Sequence, residues 1–201
     1  MSPVNDMKQT DIIQFFDHLA PEWDADMIRD DAIIGTILDN AEVTPGADVL
    51  DVACGTGVLF PDYLARKVGS VTAVDISPEM VKIARSKYPG ENITVLCGDV
   101  EAITLRQKFD CIMIYNALPH FPEPARLIEK LSTMLKPGGT LTVAHGMSRA
   151  MIDHHHEGAA GHVSVGLISE HALAAIFRRH LTLTVKISDE KMYQVTGKKI
   201  M

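Results

Sequence analysis

Val49-Leu50-Asp51-Val52-Ala53-Cys54-Gly55-Thr56-Gly57 is the stretch on which the fold class turns. A short apolar run over 48–53 ends in a tight glycine turn, and a helical pattern follows to about residue 68. Glycine lets a backbone turn sharply and lets a ligand approach without meeting a Cβ. Residues 70–75 read as a second strand. Ser77 is a good N-cap with Pro78 at the first helical position, so a helix runs from there to about residue 88. Residues 92–97, 109–115 and 140–145 read as three more strands, the middle one buried on both faces. A helix over 123–135 is stopped by Lys136-Pro137-Gly138-Gly139. This alternation predicts an α/β fold: a doubly wound, Rossmann-like sheet of five parallel strands with helices on both faces.

The two ends of the chain follow other rules. Ile12, Ile13, Phe15, Phe16 and Leu19 form a helical stripe that Pro21 interrupts, and a second helix is expected over 26–41. After a helix over 169–180, Leu181, Leu183, Val185 and Ile187 alternate with Thr182, Thr184, Lys186 and Ser188, and a last strand covers about 191–200. Two strands so close in sequence must be antiparallel, which adds a C-terminal hairpin. The expected organisation is a single domain over 1–201, with a helical cap over 1–41 and a histidine-rich loop over 146–168. A loop that long inside a domain is usually functional or mobile.

Composition narrows the function classes. The 201 residues suit one globular domain, and 46% hydrophobic with 22% charged residues excludes wholesale disorder. Nineteen basic against 26 acidic side chains give a net charge of −7, which argues against a nucleic-acid or anionic-membrane surface. No stretch approaches the roughly 20 apolar residues of a membrane span, and residues 1–10 lack the apolar core of a signal peptide. Cys54, Cys97 and Cys111 fit neither a disulfide framework nor a zinc site built from cysteine pairs, so a reducing, cytoplasmic setting is expected.

The glycine turn also points to chemistry. Asp75 closes the second strand, where a carboxylate can accept hydrogen bonds from both hydroxyls of a ribose. Asp99 follows the third strand in Cys97-Gly98-Asp99-Val100. A nucleoside cofactor is therefore expected. The dinucleotide fingerprint wants a third glycine, but Gly55-Thr56-Gly57-Val58-Leu59-Phe60 places Phe60 there, where a ring should obstruct close helix–strand packing.

In these segments the chain resembles the class I S-adenosylmethionine-dependent methyltransferases, especially the small-molecule group that includes ubiquinone and menaquinone methyltransferases. The matching residues are the turn from Asp51 to Gly57, Val74-Asp75-Ile76-Ser77 with Met80, Gly98-Asp99-Val100, Asn116-Ala117 with Phe121, and Leu135-Lys136-Pro137-Gly138-Gly139. The resemblance implies S-adenosyl-L-methionine as cofactor and a small-molecule methyl acceptor as partner. It implies that Gly55 and Gly57 pass under the methionine part, that Asp51 helps hold the turn and the amino group, and that Asp75 grips the ribose. Ile76 and Met80 would flank the adenine, Asp99 reach its amino group and Val100 pack near the ring. Asn116 and Ala117 would lie beside the reacting sulfonium. Glycine is commonest in the family where this chain has Ala53. Phe15-Phe16-Asp17 and Trp23-Asp24 resemble the segment that covers the cofactor in that group, although ordinary helix packing explains the aromatics equally well.

Nine histidines stand out. Ligands of open α/β sheets bind outside the carboxyl ends of the strands, so His120 and His145 should face the site. With Asn116 they are the candidate catalytic residues, a histidine serving as base for an acceptor that must lose a proton. A second reading is a divalent metal (zinc, iron or nickel) held by one or two of His154, His155 and His156 with His162, His145 or Glu157. The third is a solvated polar segment with no chemistry. The function expected is methyl transfer to a small molecule. The alternatives are a nucleotide-dependent oxidoreductase and a non-catalytic cofactor- or metal-sensing protein of the same fold. A homodimer stands as an open option, and the acceptor atom is open among carbon, oxygen, nitrogen and sulfur.

Overall fold

Five parallel strands and an antiparallel hairpin build one sheet in the computed structural model, which describes residues 8–90, 92–156 and 161–200, with the backbone alone at 26, 153–156 and 161. The strands are β1 (Asp48–Val52), β2 (Ser70–Asp75), β3 (Ile93–Cys97), β4 (Phe109–Tyr115), β5 (Leu135–His145), β6 (Thr182–Ser188) and β7 (Tyr193–Lys198). Their order is β3-β2-β1-β4-β5-β7-β6, with β7 antiparallel between β5 and β6. The chain leaves β1 toward β2 on one side and returns to β4 on the other. The crevice at the carboxyl ends of β1 and β4 is thus the switch point where such sheets bind ligands.

Alternate residues of each strand feed two apolar layers. Leu50, Val52, Ile112 and Ile114 pack with Leu127 and Leu131 of α6 (Pro124–Met134) and with Leu173 and Phe177 of α8 (Glu170–Phe177). Val49, Cys111 and Met113 face Ile34, Ile37 and Leu38 of α3 (Asp31–Asn40), Phe60 and Tyr63 of α4 (Phe60–Ala65), and Val81 of α5 (Pro78–Lys87). Ser77 caps α5, its Oγ accepting from Met80 N at 3.1 Å, as Ser169 caps α8 and Asp30 caps α3.

Several boundaries depart from the sequence reading. The cap is α1 (Gln9–Leu19), a 3₁₀ turn (Ala20–Glu22), the short α2 (Trp23–Asp26) and then α3, which starts at Asp31 rather than at 26. Pro21 is tolerated in the first turn of the 3₁₀ segment, and Asp30 supplies the cap that starts α3. The helix after the glycine turn is only six residues long. Lys136-Pro137-Gly138-Gly139 does not separate helix from strand, because β5 begins at Leu135 and carries the segment as an irregularity opposite Phe109 and Cys111. Gly138 has φ +77°, and a Cβ on Gly139 would lie 2.9 Å from the Phe109 and Asp110 carbonyls, so glycine is what keeps the chain in the sheet. The 146–168 segment is not an open loop. It holds α7 (Arg149–His156) and a 3₁₀ turn (Gly161–Val163). On the edge strand β6, the alternation expected from the sequence holds, with Leu183, Val185 and Ile187 half-buried and the residues between them exposed.

Candidate active site

A cavity of about 650 Å³ opens at the carboxyl ends of the central strands. The turn after β1 supplies Ala53, Cys54 and Gly55 to its wall, and β2 with the start of α5 supplies Asp75, Ile76 and Met80. Gly98, Asp99 and Val100 come from the end of β3, and Tyr115, Asn116 and Ala117 from the end of β4. The far side is Phe121, His120, His145 and Met147, with Phe16 and Trp23 of the cap above.

Asp75 ties the site together. It is 8% exposed, with Oδ2 accepting from Gly55 N at 2.8 Å and Oδ1 from Ser77 N at 2.9 Å. The carboxylate thus clamps the glycine turn to the start of α5, and each oxygen keeps a lone pair for a ligand hydroxyl. Burial raises its pKa from the ordinary carboxylate value, the backbone N–H groups of Ser77, Gly55 and Ile76 pull it back, and the charge of Asp17 adds to the rise. At the edge of the β3 side, Asp99 Oδ1 accepts from Glu101 N at 2.8 Å.

Two sequence-predicted cofactor residues do not line the cavity. Asp51 and Gly57 lie behind its wall, and both are buried. Gly57 has φ +88°, and a Cβ there would stand 2.6 Å from the Phe60 ring. The ring that replaces the third glycine is therefore accommodated: Phe60 packs into the space where Gly57 has no side chain.

The cap is fastened over the cavity by two carboxylates that the sequence reading missed as anchors. Asp17 Oδ1 accepts from Ser77 Oγ at 2.5 Å and Glu79 N at 3.2 Å. Asp24 accepts from Thr56 Oγ1 at 2.5 Å and Lys87 Nζ at 2.7 Å. Burial works against ionisation of Asp24, but the bonds from Lys87 and Thr56 outweigh it and hold its pKa below the ordinary value. Trp23 lies over the turn, its Nε1 3.8 Å from the position a Gly55 Cβ would take. Phe16 bridges the wall, edge-on to Trp23 at 5.8 Å and to His120 at 4.9 Å. Phe15, Phe16 and Trp23 all line the cavity.

His120 Nδ1 lies 2.7 Å from Val163 O. A carbonyl only accepts, so in the neutral ring the hydrogen is on Nδ1 and the lone pair on Nε2. His145 is 2% exposed and packs edge-on to Tyr193 at 5.9 Å. Asn116 adopts φ +54°, which an asparagine tolerates, and its Oδ1 accepts from Gly146 N at 3.0 Å. Tyr115, also missed from the sequence, has its pKa pushed up to about 12 by burial, with the Asn116 side chain pulling weakly the other way. The metal set is not assembled by the described residues. The side chains of His154, His155 and His156, and all of Glu157, lie outside them. His162 is exposed against Phe15 at 5.5 Å and does not line the cavity. No group of three or more His, Cys, Asp or Glu among the described residues could hold a metal ion. Nor is any described helix long and apolar enough to cross a membrane.

Residues 50–143 match the methyltransferase domain family. That segment is a methyltransferase domain, and the chain has the fold of S-adenosylmethionine-dependent methyltransferases of known structure. A ubiquinone biosynthesis O-methyltransferase of Xanthomonas campestris pv. campestris (strain B100) is 41% identical over 101 residues, which span 48% of this chain and 42% of that protein. One of Coxiella burnetii (strain Dugway 5J108-111) is 38% identical over 99 residues, 48% and 42% of the two chains. The chain thus spans less than half the length of the curated relatives it matches. Among solved structures, the N-methyltransferase NodS from Bradyrhizobium japonicum WM9, in complex with S-adenosyl-L-homocysteine, aligns with a TM-score of 0.68 at 16% identity, covering 93% of this chain and 97% of its own. A S-adenosylmethionine-dependent methyltransferase from Mesorhizobium loti gives 0.71 at 18%, covering 84% and 98%. The methyltransferase domain therefore supplies the floor of the cavity from β1 to β5, while the cap and the segment after His145 lie outside the matched residues.

Proposed function

We propose that the chain transfers a methyl group from S-adenosylmethionine to a hydroxyl of a small-molecule acceptor, in a cytoplasmic setting, with His120 as the base. The observation that carries the reading is the Asp75 carboxylate at the cavity wall, bonded to Gly55 N and Ser77 N with a lone pair left on each oxygen for a ribose. The names of the relatives support oxygen as the acceptor atom. The metal-assisted variant rests on His154, His155 and His156, and no described donor set favours it.

The donor supplies, when bound, a methyl group on positively charged sulfur that moves in line to a nucleophile. Its charge disperses in the transition state, so positioning and removal of water dominate the acceleration. Asp75 holds the ribose and Asp99 the adenine edge, while Ile76 and Met80 enclose the ring. Trp23 and Phe16 close the top against water. At the other end His120 Nε2 takes the acceptor proton while Val163 O fixes the ring through Nδ1. Tyr115 stays protonated at neutral pH and serves as a hydrogen-bond donor. Asn116, tied to Gly146, fixes where β4 ends, and His145 borders the acceptor from β5.

The test is incubation with methyl-labelled donor and a small-metabolite extract. Label is expected in a low-molecular-mass product, with S-adenosylhomocysteine inhibiting its formation. Calorimetric titration of the folded protein that detects neither donor nor S-adenosylhomocysteine would remove the reading. Preferential binding of a nicotinamide dinucleotide would replace it with the oxidoreductase alternative.

A further inference from the structure

Among the described residues, no cation meets the Asp51 carboxyl group. It is 2% exposed and sits behind the turn that would carry the donor's methionine arm. In the parallel pairing of β1 with β2, Asp51 is opposite Ala73, so Asp75 follows two residues along on the same face of the sheet. Two carboxyls are neighbours in one buried layer. Asp75 has backbone N–H donors on both oxygens, whereas Asp51 Oδ2 has none.

Among the described residues, the other elements packed on this face bring no positive charge to Asp51. Beyond Asp75 on β2, α4 presents Tyr63, the turn presents Cys54, and β4 presents Cys111, Met113 and Tyr115. Asp17 of α1 adds its charge to Asp75. Arg29 is engaged by Asp31 and Asp62. Adjacent carboxyls in such a place cannot both ionise at neutral pH, and the one with the N–H donors keeps the charge. Burial, then the charge of Asp75, push Asp51 up to about 8, with Tyr63 alone pulling it down.

We propose that Asp51 is protonated in the free protein and loses that proton to solvent when the cationic arm of the donor settles on the Gly55 turn. The inference rests on the donor reading above. The O–H bond of the acid breaks, the proton passes to the buffer, and the carboxylate that remains balances the arriving positive charge. Donor binding is then a proton-releasing event, and the site tightens as the pH rises through neutrality. The ligand's own amino group works in the opposite sense, because any neutral fraction takes a proton up when it binds as the ammonium. Net release therefore identifies a group of the protein.

The experiment is calorimetric titration of the full chain with S-adenosylhomocysteine at pH 7.0 in phosphate and in Tris, whose ionisation heats differ. A release approaching one proton per ligand is expected, turning to none or to slight uptake in Asp51→Asn. An infrared difference spectrum of the wild type should show loss of a protonated-carboxyl band on binding, which keeps the test decisive if the variant does not fold. Binding without proton release and without that band loss overturns this inference alone. Absence of binding removes the donor reading, and this inference with it.

Discussion

Ala53 carries a backbone conformation that suits glycine. Its φ is +56°, in the left-handed region, at the wall of the donor cavity. Such a conformation costs an L-residue roughly 1–2 kcal/mol, part of which a glycine gives back through the greater freedom of its unfolded chain. Ala53→Gly is therefore expected to stabilise the fold by about 0.5–1 kcal/mol, read as a rise of about 2 °C in a thermal melt. A fall in melting temperature would show that the methyl group contributes packing that outweighs the strain. His120 tests the acceptor end. His120→Gln keeps a group that can bond to Val163 O but has no basic nitrogen, so kcat is expected to drop about 10²-fold or more with the affinity for S-adenosylhomocysteine unchanged. The acidic limb of the pH–rate profile should vanish with it. Unchanged turnover would assign the proton to another group or to none.

At the scale of elements, the cap is held by few bonds, and these tell how it should respond. Asp17 joins α1 to the start of α5, and Asp24 joins α2 to the glycine turn and to Lys87. Asp17→Ala removes both acceptor contacts at the N-terminus of α5, where a carboxylate also faces the positive end of the helix dipole. Faster amide exchange across α1 and about tenfold weaker S-adenosylhomocysteine binding are expected, with exchange in β1 and β4 unchanged. Loss of protection throughout the sheet would mean that Asp17 supports the fold and not the lid. Such tethers left no mark in the sequence, because Asp17 meets Ser77 across 60 positions and no periodic pattern reports a contact of that range. What periodicity and turn chemistry do report was legible: the glycine turn, the alternation of strands with helices, the Ser77 cap, and Asp75 at the end of β2. Lys136-Pro137-Gly138-Gly139 misled for a physical reason. Proline and glycine usually stop an element, yet here Gly139 lets β5 press against the carbonyls of Phe109 and Asp110. Phe60 misled likewise, since Gly57 opens the space that its ring fills.

Across the whole molecule, the carboxyl groups set how stability follows pH. In the unfolded chain Asp51 ionises at the ordinary value of 3.8, whereas in the fold it is held at about 8. Between these values the folded state keeps a proton that the unfolded chain has lost, so unfolding releases it and stability falls as the pH rises. Asp75, also raised by burial, acts in the same sense. Asp48, lowered first by its bond from Lys136, and Asp24 act oppositely, their stabilisation being lost only as the pH falls through their depressed pKa values. The ligand-free protein is therefore most stable on the mildly acidic side, at about pH 5. Urea midpoints measured at pH 5.5, 7.0 and 8.5 are expected to decline in that order, and Asp51→Asn should flatten most of the decline. Saturating S-adenosylhomocysteine adds stability in proportion to its occupancy. If donor-site binding ionises Asp51, that added stability is largest at pH 8.5, where the unliganded fold is weakest, and the slope of the midpoint with pH is reduced. A midpoint that climbs from pH 5.5 to 8.5 in the ligand-free wild type would mean that Asp51 is ionised in the fold, and that a compensating charge reaches it from outside the layer formed by β1, β2, β4 and α4.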